Sequence, residues 1–313
     1  MNVETDPADK VATALLVEKY LACPWCHRAV TVSAELISCT SCQFTGTLKE
    51  QVAVVMQDST LSFFDNKFTV MEAAQLSRGG AWALCIERQA ALLEKHLAPG
   101  QVILDVGCGP RLPYTPPNDS FVIGLEPSFP SVRANRQVDL RVCGTATEMP
   151  LPSGSVDVAV AFYSIHHMVG QTTSDNQAIV AKAFAELNRV LKPGGQLFVF
   201  EMTPYRPVYR MQRFAWNLAK RLLGGRLDMY FRSAESMADF GTAAMSGAQL
   251  EEIDFPCSAF ETFPPIFSLP WFRLPKVLYP LNARLYKWDQ PDQARADTAL
   301  RETSLGKPGL DEA

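Results

Sequence analysis

The sequence predicts an α/β fold, a parallel sheet with helices on both faces, preceded by a small cysteine-held ribbon. Three observations predict it. Apolar strand-like runs alternate with helix-patterned segments between residues 102 and 201. A glycine turn, Gly107-Cys108-Gly109, directly follows the first of those runs. Two Cys-x-x-Cys knuckles, Cys23/Cys26 and Cys39/Cys42, stand near the N-terminus.

The ribbon comes first. Each knuckle places two thiolates on one side of a tight loop, and two facing loops supply the four sulfurs that Zn²⁺ takes in tetrahedral array. Twelve residues separate the pairs, and Val30-Thr31-Val32-Ser33 between them alternates like a strand. A redox pair needs one knuckle beside a βαβ unit, not two knuckles. The expectation is one structural Zn²⁺ on Cys23, Cys26, Cys39 and Cys42, with His27 outside the set. The other cysteines, Cys85, Cys108, Cys143 and Cys257, are scattered in apolar contexts, which fits a reducing cytosol better than a disulfide scaffold.

The rest of the chain divides as follows. Residues 1–50 hold a lead-in and the ribbon. Residues 51–78 read as a connector, with a strand at Gln51–Met56 and an apolar patch at Leu61–Phe64. Residues 79–290 form the main domain, with a cap insertion at about 205–245. The polar tail 291–313 is expected to be disordered. Gly79-Gly80 opens a helix whose apolar face carries Trp82, Cys85, Ile86, Gln89, Leu92, Leu93, His96 and Leu97; Ala98-Pro99-Gly100 stops it. Strands follow at Val102–Val106, Phe121–Leu125, Asp139–Cys143, Val156–Phe162 and Gln196–Glu201. A helix over about Asp175–Leu191 precedes the last of these and ends at Lys192-Pro-Gly-Gly195. In such sheets ligands lie beyond the carboxyl ends of the strands.

Composition sets the outer bounds. The 313 residues carry a net charge of −4, so no overall polycation draws the chain to nucleic acid. The polar start, Met1 to Lys10, is unlike a signal peptide. No uninterrupted apolar run reaches the roughly 18–20 residues needed to span a bilayer.

Five segments carry a family resemblance. They are Leu104-Asp-Val-Gly-Cys-Gly109, Gly124-Leu-Glu-Pro-Ser128, Gly144-Thr-Ala-Thr-Glu-Met-Pro-Leu-Pro152, Ser164-Ile-His-His-Met168 and Glu186-Leu-Asn-Arg-Val-Leu-Lys-Pro-Gly-Gly195. In this order they resemble the successive motifs of class I methyltransferases that use S-adenosylmethionine (SAM), most of all the ubiquinone- and menaquinone-biosynthesis type. The resemblance covers residues 100–201 and implies a Rossmann-like sheet and SAM as cofactor. Gly107 and Gly109 let the backbone approach the methionine part of SAM. The resemblance implies that Asp105 meets its ammonium, directly or through water. Glu126 accepts from the ribose hydroxyls. Cys108, Pro127, Thr145, Ala146 and Phe162 complete the implied cofactor set. Two departures stand out. Thr145, with Glu148 three residues on, replaces the aspartate that usually faces adenine. Residues 110–117 hold four prolines where a helix usually follows, which forbids a regular helix and leaves Arg111 either on the SAM carboxylate or in solvent.

The acceptor side is less defined. Tyr163, His166 and His167 follow the fourth strand and are the candidate bases, against the alternative that the paired histidines only pack. Residues 205–232 carry Arg206, Arg210, Arg213, Lys220, Arg221, Arg226 and Arg232 against Asp228, with Phe214, Leu218 and Leu222 as an apolar stripe. Residues 263–288 add Phe263, Phe267, Trp271, Phe272, Tyr279, Tyr286 and Trp288, with Arg273, Lys276, Arg284 and Lys287. Such a cap suits a small or lipid-like acceptor and peripheral contact with the inner membrane surface, or else is a lid with a solvated face. RNA is the alternative acceptor, because bacterial large-subunit rRNA guanine-N1 methyltransferases resemble this layout of zinc ribbon and fold. Against RNA stand the acidic charge and a ribbon with little basic character. A catalytically silent SAM-binding scaffold is the third reading: Thr145 and the missing helix allow it, and intact Asp105, Gly107, Gly109 and Glu126 argue against it. Oligomeric state is not readable.

Overall fold

A computed structural model describes residues 7–56, 81–224, 227–255 and 281–291. Among these, eleven strands form one sheet in the order β1-β2-β3-β4-β7-β6-β5-β8-β9-β11-β10. The ribbon contributes β1 (Val30–Ser33), β2 (Leu36–Cys39) and β3 (Thr45–Lys49), an antiparallel meander. Strand β4 (Val52–Val54) pairs antiparallel with β3 and parallel with β7 (Leu140–Cys143). The ribbon sheet therefore runs straight into the main sheet. Helix α1 (Pro7–Tyr20), where the sequence suggests only a lead-in, packs beside β1. Its last residue, Tyr20, stacks on Phe121 at 4.0 Å, and Ala22 N–H donates to the Pro150 carbonyl at 2.9 Å.

The main sheet has β5 (Val102–Val106) at its centre, flanked by β6 (Phe121–Glu126) and β8 (Val156–Phe162); β9 (Leu191–Pro204) follows. These strands and β7 are all parallel. Their side chains alternate between two cores, as a sheet covered on both faces requires. Leu104, Ala159 and Val199 face the core under α1, α4 (Thr173–Val190) and α6 (Ala234–Ala244). Ile103, Val158 and Phe198 face the core under α2 (Ala81–Glu94) and α3 (Phe129–Ala134). Helix α4 starts with a capping box in which Thr172 and Asp175 satisfy each other's backbone N–H. It ends at Val190. Strand pairing then resumes at Leu191, earlier than the sequence suggests, but jumps from Val156↔Leu191 to Val158↔Gln196. The Lys192-Pro-Gly-Gly195 stop thus bulges out of the ladder, with Gly194 at φ 76°.

One expectation is corrected here. Arg284, Tyr286, Lys287 and Trp288 were assigned to a basic aromatic cap. They lie on β11 (Leu281–Asp289), which runs antiparallel between β9 and β10 (Gln249–Phe255). Tyr286 and Trp288 are fully buried, Trp288 edge-on to Phe184 at 5.6 Å, while Arg284 and Lys287 pair with Glu252, Asp254, Glu251 and Asp289. Residues 234–244 of the expected cap form α6, which packs on α4 and β11. Leu61–Phe64, Gly79-Gly80, Arg226, Phe263–Tyr279, Cys257 and the tail from residue 292 lie outside the described residues.

Candidate functional site

The cofactor half is built where β5, β6 and β7 end. Strand β5 turns sharply at Gly107 (φ 76°) and Gly109 (φ 54°), and Gly107 N–H donates to the Leu125 carbonyl at 2.7 Å. A Cβ at Gly107 would collide with Ser164, so the first turn of the site touches the segment after β8. Glu126, buried at the end of β6, accepts from Gly109 N–H at 3.2 Å and from Ser128 N–H at 3.0 Å. Asn135, fully buried after α3, donates to the carbonyls of Cys108 and Gly109 and so clamps the turn from behind.

Asp105 is 1 % exposed, and its Oδ2 has no hydrogen-bond partner. Burial pushes its carboxyl up to about 7, the Tyr114 hydroxyl lowering it and the Glu126 charge raising it further. A buried carboxylate oxygen without a donor is costly, and it suits a cationic ligand. The ammonium of SAM would supply the donor, and Glu126 stands where the ribose hydroxyls would be taken. On these observations the residues fit SAM.

Residues 110–117 form no helix, as their prolines predict. Leu112 and Tyr114 instead turn inward and fill that side of the core, while Arg111 is exposed. Of the two adenine-side candidates, Thr145 follows β7 and shares a hydrogen bond with Thr147 at 3.1 Å. Glu148 is turned to the surface and paired with Lys182 at 2.9 Å. Glu186 and Arg189 of α4 hold this loop through Met149 N–H and the Met149 and Leu151 carbonyls. That contact gives Glu186 and Arg189 of the fifth motif a structural role in holding the loop. Pro127 and Ala146 flank the same strand ends, and Phe162 stacks on Phe200 at 4.5 Å.

The candidate acceptor half follows β8, as one 3₁₀ turn, Ile165–His167. His166 Nδ1 lies 2.7 Å from Glu201 Oε1, and His166 N–H donates to Glu201 Oε2 at 2.9 Å. Glu201 is 1 % exposed and also accepts from Met202 N–H. A carboxylate on Nδ1 fixes the ring and leaves Nε2 as the nitrogen able to exchange a proton. His167 lies against His166 and points Nδ1 at the Asp228 carbonyl, 3.3 Å away. Tyr163 (φ 54°) donates to Gln89 at 2.8 Å, and burial pushes its phenol well above its ordinary range. Its hydroxyl is thus engaged as a donor to Gln89 in this structure.

Arg232 and Lys220 are also corrected from cap surface to interior. Arg232, 2 % exposed, donates to the carbonyls of Ile165, Met168, Asn176 and Tyr230. It holds the histidine turn in place. Burial lowers its guanidinium to about 10, the Glu201 charge opposing that. Lys220 donates to the Leu227 carbonyl at 2.7 Å. Glu201, Arg232, Asn135 and Gln89 carry no motif of their own. A buried-charge pattern in strand and loop, Glu201 within an apolar run above all, was the one available signal.

In the ribbon the sulfurs of Cys23 and Cys42 are 3.5 Å apart and those of Cys26 and Cys39 3.4 Å, all four lying within 4.8 Å. Tetrahedral Zn–S bonds of about 2.3 Å put sulfurs about 3.8 Å apart. Backbone N–H groups of Trp25 and Ser41 point at Cys23 and Cys39 sulfur, a further favourable contact for thiolate ligands. The residues fit a closed Cys₄ site, and His27 is no part of the cluster.

Comparison with known proteins agrees with this geometry. Residues 104–199 match the methyltransferase domain family. A mouse tRNA (carboxymethyluridine(34)-5-O)-methyltransferase is 30% identical over 148 residues, 47% of this chain and 21% of its own length. A 27-O-demethylrifamycin SV methyltransferase of Amycolatopsis mediterranei is 37% identical over 36% of this chain and 41% of its own. A demethylmenaquinone methyltransferase of Symbiobacterium thermophilum is 24% identical over 69% of this chain and 84% of its own. The match thus spans less than half the length of the first two. By strand order, motif order and domain match, residues 104–199 form a methyltransferase domain of the class I, SAM-dependent type.

Proposed function

We propose that the chain is an active enzyme that transfers the methyl group of SAM to an oxygen, nitrogen or carbon of a small or lipid-like molecule, at the cytoplasmic face of a membrane. The observation that carries this is the His166–Glu201 pair, set one strand from the glycine turn and in contact with it through Ser164. SAM, when bound, supplies an activated methyl, so the chain mainly needs to orient and to manage a proton. Asp105 and Glu126 bind and orient. His166, steered by Glu201, takes the proton from an oxygen or nitrogen acceptor through Nε2. Arg232 keeps the turn rigid. The cysteines hold one Zn²⁺ that maintains the ribbon edge of the sheet, a role that requires thiols kept reduced. The relative whose name points to menaquinone chemistry supports an apolar acceptor, whereas the mouse relative's name supports RNA.

Incubation with methyl-labelled SAM and separated lipid, small-molecule and RNA fractions tests the reading. Label in lipid or small molecules is the expected result. Label in RNA, or none anywhere, contradicts it. Metal analysis is expected to find one zinc per chain, lost in Cys26→Ser with loss of ribbon structure.

A further inference from the structure

Helix α5 (Arg206–Leu223) is amphipathic the wrong way round for a lid. Its inner face is held by a few specific contacts. Trp216 is 2 % exposed and meets Tyr230 edge-on at 4.9 Å, and Gln212 exchanges hydrogen bonds with the backbone of Phe231. Phe231 in turn stacks on His166 at 5.2 Å. Its outer face is a stripe of large apolar residues. Phe214 is 92 % exposed, Leu222 74 %, Met211 67 % and Leu218 65 %. The spacing of these residues puts them on one line along the helix. A contiguous exposed stripe of this kind marks a binding surface.

What covers it is indicated by charge. Arg210, Arg213 and Arg221 are exposed along one flank of the stripe, and the helix contains no acidic residue. Arg206 is separate, since it pairs with Glu235 at 2.6 Å. In a chain of net charge −4 this is a local excess of cations around an apolar centre. Apolar side chains flanked by arginines at the polar boundary match a bilayer interface with anionic headgroups. No helix among the described residues is long and apolar enough to cross a membrane, so the fit is to lying on the surface. RNA would match the arginines and leave the apolar stripe wet.

We infer that α5 docks the protein on anionic membranes, with Met211, Phe214, Leu218 and Leu222 in the acyl boundary and Arg210, Arg213 and Arg221 against lipid headgroups. Docking brings the bilayer to the helix whose inner face supports the wall over His166. An acceptor partitioned in lipid thereby arrives at the site. Vesicle retention needs no turnover, so this inference and the proposed reaction fail separately.

The test is co-sedimentation of the full chain with phosphatidylcholine vesicles, with and without phosphatidylglycerol. Wild type is expected to be retained at least tenfold more on the anionic vesicles, with retention falling as salt rises. Phe214→Ser/Leu218→Ser and Arg210→Glu/Arg213→Glu/Arg221→Glu are each expected to lower retention at least tenfold while calorimetry finds unchanged SAM affinity. Five results overturn the inference. Wild type is not retained. Both variants are retained like wild type. Sedimentation velocity shows a dimer that Phe214→Ser/Leu218→Ser dissolves, with no vesicle binding, so the stripe meets a second copy. Or that variant melts well below wild type without vesicle binding, so the stripe is covered within the same chain. Retention lost in the charge variant alone, with matching loss of binding to a single-stranded RNA probe, also rejects the membrane as partner.

Discussion

The two halves of the site are built by opposite means. The cofactor half is a local construction. Glu126 is held by backbone N–H groups only 17 and 2 residues away, and Asp105 is left with an unpartnered oxygen. The acceptor half is assembled from a distance. Glu201 meets His166 across 35 residues, Arg232 reaches Ile165 across 67, and Gln89 meets Tyr163 across 74. In the first, the chain leaves a charge waiting for a ligand. In the second, the polar groups satisfy one another before any substrate arrives. The cofactor half should therefore respond to ligand and pH, and the acceptor half to mutations of its support.

The largest effect is expected at Arg232. Arg232→Met removes a buried guanidinium that donates to four carbonyls and should cost about 3–5 kcal/mol of stability. Denaturant melts check this, and a loss under about 1 kcal/mol would mean that water replaces the guanidinium with ease. Next comes Glu201→Gln, which keeps shape and removes the charge behind His166. Turnover with an oxygen or nitrogen acceptor is expected to fall roughly ten- to a hundredfold, with SAM affinity unchanged. Loss of SAM affinity in this variant would show that the two halves are not separable.

A third expected effect is a pH dependence. The Asp105 carboxyl, raised from 3.8 to about 7 by burial, binds its proton more tightly in the folded chain than in the unfolded one. Its contribution therefore favours the fold below about pH 4 and is lost as pH rises from there to about 7. A ligand ammonium favours the ionised form. SAM affinity should then rise with pH up to about 7, by at most about tenfold per unit, and level off. Asp105→Asn is expected to flatten the profile, and an equal slope in that variant would assign the titration elsewhere.

The sequence made the cofactor half legible because its chemistry sits within single strand–turn units, where spacing and residue type suffice. The prolines of residues 110–117 were equally readable, since a missing N–H forbids a helix in any context. Glu201 and Arg232 were not readable, because their partners are close only after the sheet closes. Strand β11 was misread for a related reason. Arg284 to Trp288 is basic and aromatic, and only the ion pairs with β10 and the pocket at Gly241 make those residues interior. Strand β4 has three residues, too few for periodicity to show that the ribbon and main sheets are one. In α5 the apolar stripe was visible, but periodicity gives a face without saying which side meets the core. Burial of Trp216 and exposure of Phe214 decide that.

The central claim is that SAM binds between Asp105 and Glu126 over the Gly107 turn, independently of His166 and Glu201. Calorimetric titration of SAM at pH 7 tests it most directly. Asp105→Ala and Glu126→Ala are each expected to lose about 1–3 kcal/mol of binding, roughly five- to 150-fold in Kd, while Glu201→Gln binds like wild type. Wild-type affinity in both alanine variants would contradict the account.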